Sequence, residues 1–199
     1  QVIKFHDHIS DQCAIKFGVP QGSVLGPLLF LIYINDIVNA TNHGHFVIFA
    51  DDTNLFVDGS NIEDVVLKTN QILQNIKLYL EANYLHINIK KSNFIHFTSP
   101  RSKINSENLR IHFDSKPLKR VSETKFLGVI IDDKLNWGPH IKNLIMKLRS
   151  CTGQIYRIKH NIPQELHKDI YHTLFESHLT FAISVWGGLS KNRFQPLFV

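Results

Sequence analysis

Short apolar and polar blocks follow one another along this 199-residue chain and predict alternating strands and helices. Residues 47–57 read VIFADDTNLFV, with apolar runs on both sides of two adjacent aspartates. Both runs are rich in β-forming residues, so we predict strands over 45–50 and 53–57, joined in a tight hairpin with Asp51 and Asp52 at its tip. A hairpin tip faces water, which suits two carboxylates that repel each other and would be costly to bury.

Longer apolar periodicities predict helices. The run over 26–38 is apolar almost all round, which predicts a buried helix. The tetrad at 60–63, SNIE, matches the S-x-x-E capping box and predicts that Ser60 caps a helix with one apolar stripe. After Trp137 the pattern predicts an amphipathic helix with basic residues between its apolar positions, and Pro163 predicts the start of a last helix.

The remaining apolar segments predict further strands over 94–97, 109–113 and 126–131, and a strand or hairpin over 2–17. Strands and helices are therefore mixed over 1–135, whereas helices dominate 136–185. We predict an α/β architecture with a domain boundary between residues 135 and 136.

Charge is spread unevenly along the chain. Residues 1–100 carry six Lys, no Arg and nine acids, a net charge of −3, whereas residues 101–199 carry ten Lys, six Arg and eight acids, a net charge of +8. An acidic half beside a basic half suggests a metal-binding centre next to a polyanion-binding surface. A solvated basic face is the alternative, and charge alone does not separate the two.

Composition limits the cellular setting. The chain is 43% apolar and 20% charged, as in an ordinary globular protein, and no run approaches the ~18 apolar residues of a membrane span, so we expect no membrane partner. Cys13 and Cys151 form neither a disulfide framework nor a zinc pattern, which indicates a reducing, intracellular environment, with nucleus and cytoplasm both open. Because the chain starts at Gln1 and its single methionine is Met146, we expect an internal piece of a longer protein.

Two segments carry candidate chemistry. Carboxylates are the hard oxygen ligands of Mg²⁺, which takes one or two of them together with substrate phosphates. Neighbouring strand residues point to opposite faces unless a turn bends them together, which makes Asp51 the stronger ligand candidate and Asp52 the weaker. Residues 18–30, GVPQGSVLGPLLF, form a glycine-rich loop that enters a helix, a place where a nucleotide can approach the backbone closely. The acid pair alone is a common polar turn, and the glycine-rich loop alone is a common loop-to-helix junction. Their occurrence together in one chain is a more specific indication of a functional site.

Six segments in this order resemble the reverse transcriptases of non-LTR retrotransposons, of the jockey-like or a related lineage. They are GVPQGSVLGPLLF at 18–30, FADDT at 49–53, LHINIKKS at 85–92, FLGV at 126–129, NWGPHI at 136–141 and SVWG at 184–187. The resemblance implies an RNA-directed DNA polymerase with a right-hand fold. Residues 1–135 would supply most of the palm, an antiparallel sheet with packed helices, and 136–199 part of a helical thumb, with the fingers missing.

The resemblance also implies catalytic roles. Asp51 and Asp52 would hold Mg²⁺, or Mn²⁺ in its place, for two-metal nucleotidyl transfer from a dNTP to a primer 3′-hydroxyl on an RNA template. Phe49 would lie next to the primer end, and Lys91 would protonate or neutralise the leaving pyrophosphate. For Lys91, an ordinary solvated lysine is the competing interpretation, and Lys90 beside it blurs the assignment.

Further positions are implied to bind nucleic acid and nucleotide. Gln21, Gly22 and Ser23 would line the pocket for the template base and the incoming nucleotide, and Leu127 and Gly128 would lie in the loop that grips the primer. Competing interpretations stay open: Gln21 satisfies backbone groups of its own loop, and Leu127 is a core residue. The implied partners are an RNA template, a DNA primer, a dNTP, and fingers and endonuclease domains upstream in the same polyprotein.

The resemblance is incomplete at one point. Members of the family need a third carboxylate on a strand well upstream of the glycine-rich loop, and Asp7 and Asp11 lack the apolar strand context for that role. Losing a carboxylate from a two-metal site costs several orders of magnitude in rate, so we expect the 199-residue chain alone not to polymerise. A non-catalytic relic or co-opted nucleic-acid-binding module is the alternative, although the intact acid pair favours an enzyme. A metal-dependent nuclease is disfavoured because no water-activating cluster is present.

Overall fold

The computed structural model describes residues 2–14, 18–20, 22–99 and 109–188. The chain divides into two compact units, each described here as far as these residues reach. Unit 1 comprises Gln1–Ile87 and Arg110–Pro117, and unit 2 comprises Asn88–Leu109 and Leu118–Val199. The predicted boundary after residue 135 concerns palm and thumb domains of a polymerase, and it stays a prediction.

Both units combine helices with small sheets. The helices are α1 (Gly26–Ile34), α2 (Ile62–Ala82), α3 (Gly138–Ile158), α4 (His167–Tyr171), α5 (Ser177–Thr180) and α6 (Ile183–Trp186), with 3₁₀ helices at Asn35–Ala40 and Gln164–Leu166 and a π-helical segment at His172–Glu176. The strands are β1 (Lys4–Phe5), β2 (His8–Ile9), β3 (His45–Phe49), β4 (Asp52–Phe56), β5 (Asn93–Phe94), β6 (His112–Phe113), β7 (Lys116–Pro117), β8 (Lys119–Arg120), β9 (Glu123–Phe126) and β10 (Val129–Asp132). Among the described residues no helix combines the length and the apolar character needed to cross a membrane.

The strands pair two by two. β5 and β8 are parallel, and the other four pairs are antiparallel hairpins. Each hairpin turns through two residues, and the first of them has a positive φ: His6 at 52°, Ala50 at 51°, Asp114 at 50° and Leu127 at 44°. Left-handed turn residues match the right-handed twist of the paired strands, which explains why the same solution recurs.

The predicted hairpin over 45–57 is confirmed, because β3 and β4 pair from His45 opposite Phe56 to Phe49 opposite Asp52. Its predicted turn is wrong by one residue: Ala50 and Asp51 form the turn, and Asp52 is the first residue of β4. The predicted single strand over 126–131 is wrong. Residues 123–132 form the β9–β10 hairpin, and Leu127 and Gly128, with φ of 44° and 91°, are its turn. Two positive φ values are characteristic of a type I′ turn, which the leucine at the first turn position conceals in the sequence.

In unit 1 the apolar stripe of α2 forms the core, as predicted, with Ile72, Ile76 and Leu80 buried. Asn70 on the same helix ties it to the strand before the β6–β7 turn. Its Oδ1 accepts the N–H of His112 at 2.9 Å, and its Nδ2 donates to the carbonyl of Arg110 at 3.3 Å. These two side-chain hydrogen bonds link α2 to the segment 110–112, which is distant from the helix in the chain.

The N-cap of α2 is Asn61, so the prediction of Ser60 in that role is wrong by one residue. Asn61 Oδ1 accepts the N–H of Asp64 at 2.8 Å. Asp64 in turn accepts from the backbone N–H of Ser60 at 3.0 Å and from Lys68 Nζ at 2.9 Å. Asn is as good an N-cap residue as Ser. In the predicted capping box Glu63 would accept the backbone N–H of Ser60, whereas in the structure Asp64 accepts it.

The prediction that the helix over 26–38 is buried is wrong. α1 ends at Ile34, and the side chains of Leu28 and Ile32 are 55% and 65% exposed. Gly26 at its start and Ile34 at its end are buried, as is Ile37 just beyond it, and Tyr33 donates a hydrogen bond to the carbonyl of Asn83. An all-round apolar helix is exposed here because no described element of unit 1 covers its remaining faces.

Unit 2 is built on the amphipathic helix that the sequence predicts after Trp137. Ile141, Leu144 and Leu148 of α3 form a buried cluster with Trp186, which is 1% exposed, and Trp137 packs against it. Both tryptophans therefore have packing roles in unit 2. The helix predicted from Pro163 is confirmed as an unbroken helical run from Gln164 to Thr180, within which the π-helical segment separates α4 from α5. Ala182, with a φ of 52°, lies beyond this run and before α6.

The cap assignment predicts a difference between two neighbouring substitutions. Asn61→Ala should lower the free energy of unfolding by about 1 kcal/mol, because the first turn of α2 loses its side-chain acceptor. Ser60→Ala should cost less, since it removes only an exposed hydroxyl contact to Asp64. Urea denaturation of both variants measures the two losses, and a larger loss for Ser60→Ala would contradict the assignment.

Candidate active site

The β3–β4 hairpin presents the acid pair of unit 1 to solvent. Ala50 and Asp51 form its two-residue turn, and Asp52 begins β4 directly opposite Phe49. Residues opposite each other in an antiparallel pair share a face, so Phe49 and Asp52 project to the same side. Both aspartates are exposed, and Phe49 is 61% exposed. The turn thus places two carboxylates and an aromatic ring together at one end of the hairpin.

The base of the hairpin is fixed against α2. A Cβ built on Gly44, just before β3, would lie 2.8 Å from Leu55 Cδ1 and 3.4 Å from Ile72 Cδ1. Gly44 also has a φ of 83°, which glycine adopts without strain. The hairpin is therefore closely packed at Gly44, while the aspartates at its opposite end are exposed to solvent.

The two carboxylates at the turn suit Mg²⁺. Their oxygens are the hard ligands that this ion prefers, and both side chains are exposed, so a cation can reach them without a rearrangement of the core. Within the described residues no group of three or more His, Cys, Asp or Glu side chains could hold a metal. Two carboxylates still suit Mg²⁺, since this ion keeps water and phosphate oxygens in its shell.

The glycine-rich loop also lies in unit 1, although Gln21 is outside the described residues. Gly22 is exposed with a φ of 86°. Ser23 donates its N–H to the carbonyl of Pro20, and its Oγ accepts the N–H of Gly26 at 3.1 Å. A Cβ on Gly26 would lie 2.7 Å from that Oγ, so the glycine is what lets the loop close on the start of α1.

Lys91 lies in unit 2 on a single tight turn built by Asn88. The Asn88 carbonyl accepts the N–H groups of Lys91 and Ser92, both at 3.0 Å, and the Ser92 hydroxyl at 2.9 Å. Asn88 Oδ1 accepts from the Lys91 N–H as well, at 3.3 Å. This explains the spacing of the N-x-x-K-S element, because Asn88 holds the backbone from which the exposed Lys91 side chain projects.

Leu127 and Gly128 form the β9–β10 turn, also in unit 2. Leu127 is 40% exposed, so the interpretation of Leu127 as a core residue is wrong. A Cβ on Gly128 would lie 2.9 Å from Phe181 Cε1, which shows that this ring packs directly on the glycine. The predicted site residues are therefore divided between the units: Phe49, Asp51, Asp52, Gly22 and Ser23 belong to unit 1, and Lys91, Leu127 and Gly128 to unit 2.

A second adjacent acid pair, Asp132 and Asp133, has a structural role. Asp132 is buried, and its carboxylate accepts the backbone N–H groups of Lys134, Asn136 and Trp137 at 3.1, 3.0 and 2.7 Å. These bonds shape the loop into α3 and occupy the oxygens that a metal would need. Asp133 lies 3.8 Å from Arg120. Burial and backbone donors thus distinguish this pair from the exposed pair at the β3–β4 turn.

His140 is a buried imidazole that no sequence motif identifies as functional. Its side chain is 5% exposed, and its Nδ1 accepts the N–H of Ile130 at 3.3 Å. Burial, and to a lesser extent the positive charge of Lys147, lower the pKa of His140 below its usual value near 6.5. The ring is therefore neutral at pH 7, which an acceptor for a backbone N–H requires.

Comparison with known proteins gives consistent matches. The family model for reverse transcriptase (RNA-dependent DNA polymerase) matches residues 1–131. The probable RNA-directed DNA polymerase from transposon X-element of Drosophila melanogaster is 26% identical over 194 residues, which is 93% of this chain and 21% of that protein. The RNA-directed DNA polymerase from mobile element jockey of Drosophila funebris is 26% identical over 195 residues, again 93% of this chain and 21% of that protein.

A more distant match is the retrovirus-related Pol polyprotein from type-1 retrotransposable element R1 of Bradysia coprophila, 24% identical over 174 residues, which is 85% of this chain and 17% of that protein. The chain thus spans about a fifth of the length of the curated relatives it matches. No solved structure matches it significantly.

The positive φ of Ala50 predicts an unusual response to glycine. Ala50→Gly should raise the free energy of unfolding by about 0.5–1 kcal/mol, because a left-handed alanine costs roughly 1–2 kcal/mol, more than glycine's extra unfolded-state entropy. Ala82→Gly in α2 is the matched control and should lower stability by a similar amount. Urea denaturation compares them, and a loss of stability in Ala50→Gly would show that the turn is not strained.

His140 predicts acid sensitivity of unit 2. The pKa of its buried ring is lowered, so unfolded chains bind a proton more readily, and the contribution of neutral His140 to stability is lost as the pH falls below about 6.5. We expect the free energy of unfolding to decline with falling pH below about 6.5, less steeply in His140→Asn than in the wild type. His160→Gln, at an exposed position, should keep the wild-type slope, and an unchanged slope in His140→Asn would contradict the prediction.

Proposed function

Because the chain belongs to the reverse transcriptase (RNA-dependent DNA polymerase) family, we propose that it is part of an RNA-directed DNA polymerase of a non-LTR retrotransposon. The observation that carries this proposal is the β3–β4 turn, which presents Asp51 and Asp52 to solvent beside Phe49. The reaction would join a dNTP to a primer 3′-hydroxyl on an RNA template. Residues 1–135 would form most of a palm, and 136–199 part of a thumb.

In this proposal Asp51 and Asp52 hold Mg²⁺, or Mn²⁺ in its place. When bound, the cation supplies positive charge for the attacking and leaving oxygens of phosphoryl transfer. The two carboxylates lie next to each other in the chain, and their mutual repulsion favours capture of a divalent cation. Phe49, which projects with Asp52, would lie against the primer end and exclude water from one side of the site.

The other predicted residues would orient the substrates. Gly22 and Ser23, with Gln21, would line the pocket for the template base and nucleotide, and the loop is shaped for close approach by its glycines. Lys91 would neutralise or protonate the pyrophosphate as it leaves, on a turn that Asn88 holds rigid. Leu127 and Gly128 would contact the primer from the β9–β10 turn.

The partners in this proposal are an RNA template, a DNA primer and a dNTP. Relatives named Pol polyproteins support a polyprotein setting, in which fingers and endonuclease domains accompany this segment. A non-catalytic relic that only binds nucleic acid is the competing function, and the two tests below separate it from a polymerase.

Metal binding tests the acid pair in the 199-residue chain. A unit charge about 4 Å from a divalent cation is worth roughly 2 kcal/mol even in bulk water, so Asp51→Asn and Asp52→Asn should each weaken Mn²⁺ binding by about tenfold or more. Asp58→Asn, at an exposed position just beyond β4, is the matched control and should bind Mn²⁺ as the wild type does. Electron paramagnetic resonance of free Mn²⁺ gives the affinities. Equal weakening in all three variants would mean that the turn is no specific site.

Primer extension tests catalysis. We expect no incorporation by the 199-residue chain on an RNA template, because the third carboxylate of the family has no candidate within it. A longer polypeptide from the same reading frame should extend the primer, and Asp51→Asn or Asp52→Asn should reduce extension by several orders of magnitude, unlike Asp58→Asn. A long polypeptide that binds Mn²⁺ but extends no primer would refute the polymerase and favour the relic.

A further inference from the structure

A pocket of about 210 Å³ opens on unit 2, where the β9–β10 hairpin, α3 and the end of α5 meet. Its polar lining comes from Lys125 on β9, from His140, Asn143 and Lys147 on α3, and from His178 on α5. None of these five polar residues has a role in the site proposed above, whereas Gly128, which also lines the pocket, is placed there next to the primer. They are brought together by the fold from three elements.

The lining is positive and lacks a counter-charge. Lys125, Lys147 and His178 are exposed at the pocket, and none of its lining residues is acidic. Among the described residues no carboxylate forms an ion pair with Lys125 or Lys147. Two ammonium groups that share a concave surface without a carboxylate raise the local positive potential, which an anion would relieve.

The rest of the lining is apolar. Leu144 is buried in the core of unit 2, whereas Phe181, whose ring lies directly on Gly128, is 51% exposed. Asn143 is half-buried and offers an amide that can donate two hydrogen bonds. A concave surface that combines two ammonium groups with an amide donor offers one compact anion several contacts at once, unlike the diffuse charge of an open basic face.

We propose that this pocket binds a single phosphate group, with Lys125 and Lys147 supplying charge and Asn143 and His178 donating hydrogen bonds. Lysines act as point charges toward phosphate, and donors that approach from three elements suit a tetrahedral anion better than a planar carboxylate. The phosphate has two possible sources, the backbone of a nucleic acid or a free phosphate group. The nucleic-acid source rests on the proposed function, whereas phosphate binding itself does not.

The test is a titration of the 199-residue chain with inorganic phosphate in EDTA, followed by the imidazole C–H signals of His178 in NMR spectra. Saturable shifts are expected. One ammonium–phosphate contact near 4 Å is worth about 1 kcal/mol in water, so Lys147→Met and Lys125→Met should each weaken binding by about fivefold. Lys142→Met is the matched control, because Lys142 is exposed on the same helix outside the pocket, and its affinity should stay near the wild-type value. Equal losses in all three variants, or no saturation in the wild type, would overturn the proposal.

Competition then identifies the source. A primer–template duplex without terminal phosphates should displace inorganic phosphate if the pocket holds a backbone phosphate, and a 5′-mononucleotide alone should do so if it holds a free or terminal one. Either result supports the phosphate site and identifies its source. Competition by neither duplex nor mononucleotide would overturn the nucleic-acid source and leave inorganic phosphate itself as the ligand. The assay contains no metal and needs no primer extension, so an inactive polymerase and an absent phosphate site give different results.

Discussion

The two-residue hairpin turn with a left-handed first residue is the constraint on which this structure depends. Four antiparallel pairs use it, and only one of the four turns contains a glycine. The twist of paired strands demands positive φ at these positions, so Ala50 and Leu127 adopt a conformation that is unfavourable for their residue types. Strain of this kind persists where surrounding structure over-determines it, and it occurs here at Ala50, between the predicted site residues Phe49 and Asp51, and at Leu127, itself a predicted site residue.

The two acid pairs show how local structure decides what a carboxylate can do. Asp51 and Asp52 lie at a turn and are exposed, and within the part of the chain that the structure describes no backbone N–H donates to their carboxylates. Asp132 lies at the end of a strand, where three backbone N–H groups converge on it and close the loop into α3. The same dipeptide after an apolar run thus gives a cation-binding candidate in one unit and a structural link in the other.

The charge asymmetry of the sequence takes two different structural forms. In unit 1 two acidic residues, Asp51 and Asp52, lie together at the β3–β4 turn. The other end of this hairpin is held by the packing of Gly44 against Leu55 and Ile72. In unit 2 part of the basic charge lines a pocket beside the rigid contact between Gly128 and Phe181. The proposed cation site and the proposed phosphate site therefore rest on residues of different units.

The sequence by itself determined the family, the β3–β4 hairpin with its acid pair, and the buried stripes of α2 and α3, because each depends on residues close together in the chain. The tertiary structure decided the rest. Leu127 is a turn residue only because β9 pairs with β10, and α1 is exposed because packing, which periodicity does not encode, leaves its faces uncovered. Lys125, Lys147 and His178 are unremarkable in sequence, since three elements must fold together before their side chains share one pocket.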